Sequence, residues 1–134
     1  MSNLVTKIAV VGAHLSGQPL NHQLTSRGAT LFLSTHTAPI YKLYALSGTN
    51  PPKPALVRLG DHDQGYRIEI EVWEIAIAKF GEFVAEVPAP LGIGTTVLDN
   101  DETVKGFICE GWAIASATDI SSYGGWRSYL QSQK

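Results

Sequence analysis

A chain of 134 residues, 44% hydrophobic and 16% charged, fits one domain spanning 1–134, because single cores run to roughly 100–150 residues before a chain divides. Its net charge of −2 without a Lys/Arg run lacks the basic footprint of a nucleic-acid or acidic-membrane binder, which leaves a small anionic metabolite as the expected ligand. No stretch nears the ~20 apolar residues of a membrane helix, lone Cys109 cannot form an internal disulfide, and no Cys/His spacing matches a zinc site, so a cytoplasmic protein without metal or cofactor is expected.

The opening MSNLVTKIAVVGAHLSG holds an apolar run that reads better as a first strand than as a signal segment. TKIAVVGA, rich in β-branched residues and ended by Gly12, predicts a central strand emptying into a loop. In PLNHQLTSRGA, Leu20 and Leu24 at i, i+4 and a Gly-Ala stop predict a two-turn helix. TLFLSTH and YKLYALSG predict strands joined through Pro39, with Tyr41, Leu43 and Ala45 on one face and Lys42 and Tyr44 on the other. Proline makes GTNPPKPAL irregular. Next come a short strand, ALVRLG, and the alternating YRIEIEVWEI, which turns Ile68, Ile70 and Val72 one way and Glu69, Glu71 and Trp73 the other. Turn residues in GDHDQG predict that these two strands pair antiparallel.

AIAKFGEFVAEV changes to helical spacing through Ile77, Phe80, Val84 and Val87 and stops before Pro88 and Pro90. GTTVLDNDETVKGFICEGWAIA returns to strands around an Asn-Asp hairpin turn. The segment DISSYGGWRSYLQSQK offers a cap, a Gly-Gly hinge and an amphipathic turn carrying Trp126 and Tyr129. These elements predict an α+β fold: a small, curved or barrel-like sheet, mostly antiparallel, with two or three short helices.

His14 leaves the first strand beside Gly12-Ala13, where free backbone N–H groups can form an anion-binding nest and an imidazole can exchange protons near neutrality. The alternative is a histidine that only hydrogen-bonds a loop carbonyl. Asn21 and Gln23 can donate amide hydrogens to a carboxylate, or serve as caps and surface polar groups; His22, between them, is expected to be exposed. Among the cations, Arg58 on a strand beside Leu59 offers planar bidentate contact, Lys53 lies on a proline-stiffened loop, and Arg127 either stacks on a ring or pins the C-terminal segment. Tyr41 shares the apolar face of Leu43 and needs a partner for its hydroxyl. Glu69 and Glu71 read as the wet side of a sheet, Glu82 and Glu86 as an exposed like-charged pair, and Cys109 as a buried thiol.

The blocks VVGAHLSGQPLNHQL, TAPIYKLYAL, PPKPALVRL, FVAEVPAPLGIGTTVL, VKGFICEG and DISSYGGWRSYL, in this order from Lys7 to Leu130, resemble the C-terminal domain of allophanate hydrolase. The resemblance implies a γ-glutamylcyclotransferase-like fold and a domain standing apart from its amidase-signature half. It also implies decarboxylation of N-carboxycarbamate with His14 as general acid/base, and a substrate cradle drawn from Gly12, Ala13, Leu15, Asn21, Gln23, Tyr41 and Arg58. Two other roles follow from it: a non-catalytic module that assembles homo-oligomers or binds a partner amidase, to which Trp112, Trp126 and Tyr129 could contribute, and a γ-glutamyl-type cyclotransferase. Glu86 is the nearest candidate for the cyclotransferase glutamate, although FVAEVPAPLG departs from the Leu-Asp-x-x-Glu setting of those relatives.

Overall fold

The computed structural model describes residues 4–61 and 63–134; Met1–Asn3, at the head of the opening segment, and His62, inside the expected GDHDQG turn, lie outside them. The TKIAVV run forms β1 (Val5–Val10). Ile8, Ala9, Val10 and Val11 are buried in succession, as happens in a strand covered on both faces. It pairs antiparallel with β5 (Glu69–Ala76) and parallel with β7 (Thr103–Cys109). With β2 (Thr30–His36) beyond β5 and β6 (Leu91–Val97) beyond β7, the five-stranded sheet runs β2-β5-β1-β7-β6. β6 and β7 make the expected hairpin, with Asp101 in the left-handed region at φ 71°. A three-stranded sheet, β4-β3-β8, comprises β3 (Tyr41–Ala45), β4 (Pro54–Arg58) and β8 (Thr118–Asp119).

The pairing of ALVRLG with YRIEIEVWEI is not what forms. β4 pairs antiparallel with β3, and β5 has both edges filled by β1 and β2. The proline-rich segment between β3 and β4 is the loop of this hairpin, closed by Leu46 N–H donating to Lys53 O (3.1 Å) and Lys53 N–H donating to Thr49 Oγ1 (2.9 Å). The stretch after β4 is therefore a crossover between sheets. The sheets also stay open where a barrel would close: β4 runs beside β7 without ladder pairing, and Pro54 at its head has no N–H to offer.

The helix expected after the first loop shrinks to α1 (His22–Thr25), which buries Leu24. α2 (Ile77–Ala85) stops short of Pro88, as its sequence predicts. Its most buried residue is Phe83, whereas Ile77 is exposed. β1 begins at Val5 opposite Ala76, so Ile77 already lies past the end of the sheet; Phe80 packs half-buried against the core, and Phe83 is the first residue of the helix to be fully enclosed. α3 (Trp126–Ser132) follows Gly124 at φ 78° and buries Trp126. One apolar cluster joins Ile8, Leu15, Leu24, Ile70, Phe83 and Phe107 with Trp126.

Candidate functional site

Where β1 ends, the chain folds back tightly: Leu15 N–H donates to Gly12 O (3.0 Å) and Leu20 N–H to Ala13 O (2.8 Å). Gly12 is required by close approach, since a Cβ there would lie 2.2 Å from Pro54 Cδ. The loop is thereby packed against the head of β4. Its outer side is held by Glu71, which accepts from Ser16 N–H (2.8 Å), Ser16 Oγ–H (3.0 Å), Trp73 Nε1–H (3.1 Å) and Arg127 (3.0 Å). Glu71 is 4% exposed, which corrects the expectation of a wet face. The second face of β5 is covered by this loop and α3, with Arg127 also donating to Ser16 O (2.8 Å). Burial pushes the Glu71 carboxyl up, but the hydrogen bonds from Ser16, Arg127 and Trp73 outweigh it and hold the pKa below the usual carboxylate value.

His14, 6% exposed, stacks on Phe107 (centroids 5.0 Å) and meets Phe83 edge-on (5.2 Å). Its Nε2 lies 2.7 Å from Gln23 Oε1. With a carbonyl oxygen as acceptor, Nε2 carries the proton and Nδ1 the lone pair. Nδ1 has no hydrogen-bond partner among the described residues, yet it is not sealed from solvent-sized space. Burial lowers the imidazole pKa below its ordinary value; the Gln23 bond and Glu86 raise it, while the charges of Lys53 and His22 lower it. The resting ring is neutral at pH 7. Asn21 Nδ2 donates to His14 O (2.9 Å), and His22 is exposed with Nδ1 against Pro19 O (3.0 Å). Two of the three residues in the Asn-His-Gln cluster thus brace His14.

His14, Gly12 and Ala13 wall a cavity of about 20 Å³ together with Lys53, Pro54, Leu91 and Phe107, room for about one water molecule. Lys53 and Leu91 also line a second cavity of about 210 Å³ between the β3–β4 loop and the Pro88–Pro90 segment. The two spaces adjoin at the seam where the sheets do not pair. The N–H groups of Gly12, Ala13 and His14 have no acceptor among the described residues, an unusual state for buried donors. Larger concavities exist, including one of about 550 Å³ lined by Lys7, Glu74 and Lys105, but it is an open trough over the sheet.

The remaining sequence-selected residues sit elsewhere. Leu15 is in the core with its N–H spent on Gly12. Tyr41 is buried, and its hydroxyl accepts from Val97 N–H (2.9 Å). Arg58 is exposed at the far end of β4 from Pro54, about 13 Å along the strand. Neither lines the His14 cavity. The cation that does is Lys53, 7% exposed, one of the candidate cations of the sequence but ranked there behind Arg58. Glu86 is exposed and paired with Arg27, outside both cavities. Cys109 is half-buried rather than buried, sitting at the last position of β7, and burial with the Glu110 charge pushes its thiol up. Among the described residues no group of three potential metal ligands occurs, and no helix is long and apolar enough to cross a membrane.

The profile of the allophanate hydrolase C-terminal domain family matches residues 6–131. The chain belongs to that family. Within it, the urea amidolyase of Lachancea kluyveri is 47% identical over 127 residues, covering 92% of this chain and 7% of that protein. The structure of Kluyveromyces lactis allophanate hydrolase superposes with a TM-score of 0.94 at 41% identity, over all of this chain and 23% of that one. The chain therefore spans only a small part of these family members. A third match, the uropathogenic E. coli-specific protein c4763, has a TM-score of 0.87 at 26% identity and is covered over 97% of its own length, so the family's fold also occurs as nearly a whole chain.

Proposed function

We propose that His14 is the general acid/base of a site that decarboxylates a small N-carboxylated amine of the N-carboxycarbamate type. The observation that carries this reading is a neutral, buried imidazole whose free Nδ1 accompanies a cavity walled by uncommitted main-chain donors. Family membership supports it, since relatives are urea amidolyases and an allophanate hydrolase. In this scheme a dianionic substrate raises the pKa of the adjacent imidazole, which takes a proton from water at Nδ1 as the ligand settles. The C–N bond then breaks with its electron pair going to nitrogen, nitrogen takes the Nδ1 proton, and carbon dioxide and carbamate leave while His14 returns to neutral. Gln23 keeps the ring oriented throughout, and the Gly12–His14 amides face the carboxylate. The outer space, about 210 Å³, falls below the roughly 300–1,000 Å³ of ordinary ligand pockets, which suits a compact substrate.

The test supplies substrate from an allophanate-cleaving amidase and follows carbon dioxide release with wild type, His14→Ala and His14→Asn. The expected result is acceleration by wild type alone, with both variants folded. Equal progress curves with and without the protein would sink the reading. A second reading, a docking module for a partner amidase, is favoured by exposed Trp112, 68% accessible, together with Leu31, Phe32 and Leu33 on edge strand β2. Trp126, by contrast, is buried. Co-elution with the amidase domain without any rate change would favour docking.

A further inference from the structure

Lys53 stands out among the titratable groups. Lysines are almost never this buried unless paired, because an ammonium removed from water needs a compensating charge. Among the described residues Nζ donates only to Pro51 O, at 3.3 Å, and no carboxylate of theirs lies within ion-pair distance of it. Burial accordingly lowers its pKa. Its backbone is fixed on both sides: Lys53 N–H donates to Thr49 Oγ1, Lys53 O accepts from Leu46 N–H, and the adjoining Pro54 ring is wedged against Gly12. A rigid loop thus carries a charge without a counter-ion to the point where the two cavities adjoin.

We infer that Lys53 anchors one carboxylate of a compact dianion whose other end lies against His14 and the Gly12–His14 amides. This rests on the decarboxylase reading of the same site and adds the residue that holds the ligand's second carboxylate. The inner space admits about one water-sized group, so only the head of the ligand enters it, and the rest occupies the outer cavity rimmed by Asn50 and Pro88. The same lysine sets the state of the acid/base. Its charge lowers the His14 pKa, and a carboxylate placed on Nζ cancels that effect when the substrate needs a protonated ring. Ligand capture and ring protonation are therefore coupled through Lys53. A monoanion, lacking the second carboxylate, engages one end only.

The test uses malonate, in which CH₂ replaces the nitrogen of N-carboxycarbamate, with acetate as the monoanionic control. Affinities are measured by calorimetry at fixed ionic strength on wild type, Lys53→Met and Lys53→Gln. Wild type should prefer malonate over acetate, and both variants should reduce that preference about tenfold or more, as for loss of a charge-assisted bond. Titration of the His14 ring by NMR reports independently of activity and verifies that the variants are folded. Malonate should raise the His14 pKa in wild type, and the ligand-free Lys53 variants should titrate higher than ligand-free wild type. An unchanged malonate preference in both variants, or no malonate binding by wild type, overturns the anchor. If His14→Asn leaves carbon dioxide release unaltered while malonate binding still requires Lys53, the decarboxylase reading falls and the anchor stands.

Discussion

An imidazole held between two phenyl rings titrates according to how well those rings exclude water. Phe83 is completely buried and Phe107 nearly so; shortening Phe83 to Leu should cost about 1–2 kcal/mol in urea unfolding and move the His14 pKa upward in an NMR titration as water reaches the ring. The lowered pKa has its own stability signature. Between the folded and unfolded pKa values the unfolded chain binds more protons, so His14 contributes stability that is complete above about pH 6.5 and is lost as pH falls toward the folded value. Urea midpoints measured from pH 8 to pH 5 should therefore fall less in His14→Asn than in wild type. Glu71 acts lower on the scale: its stabilisation is complete above the ordinary carboxylate pKa and disappears as pH drops through the depressed folded value. Glu71→Gln should flatten that acid limb. It should also destabilise by about 2–4 kcal/mol near neutrality, because Arg127 keeps its charge beside a partner that has lost one.

Elements are joined at this site through a few close approaches. Gly12→Ala would drive a methyl into the Pro54 ring, and the expected result is a loss of about 1–3 kcal/mol with weaker malonate binding, since Lys53 moves with Pro54. Much of this architecture could be read from the chain. Four successive apolar residues made β1 central, and the Asn-Asp turn made the β6–β7 hairpin, because both signals are local. The partner of β4 was not legible. Turn chemistry in GDHDQG says where a chain bends, not which strand edge is vacant, and both edges of β5 were filled by distant strands. Alternation in β5 likewise displayed two faces without showing that α3, more than fifty residues on, would cover the charged one. That Asn21 and Gln23 lie near His14 was legible because all three fall within ten residues, but their bonds to His14 itself were not: the sequence offered them as amide donors to a carboxylate, and only the fold shows their side chains turned onto the His14 ring and carbonyl. Lys53 was harder to choose over Arg58, since its burial depends on the Pro88–Leu91 segment and on Gly12, both remote in sequence.

Across the whole molecule, the C-terminal helix clasps the N-terminal loop: Arg127 reaches Ser16 and Glu71 from more than a hundred residues away from the former. Ending the chain after Gly124 should leave β5 with a buried, unneutralised carboxylate and speed amide hydrogen exchange at Ser16 well beyond the local effect of removing α3. That clasp keeps the loop in shape through an internal anion, so the donors of the proposed site are in position without a ligand. The inner cavity lies on the line along which β4 and β7 run side by side without sharing a ladder, and is walled by Pro54 of one strand and Phe107 of the other. Elsewhere in the two sheets, prising strands apart would surrender main-chain bonds one after another. Along this line no ladder bond is at stake, so a change in the spacing of the two sheets there would leave the backbone scaffold on either side intact.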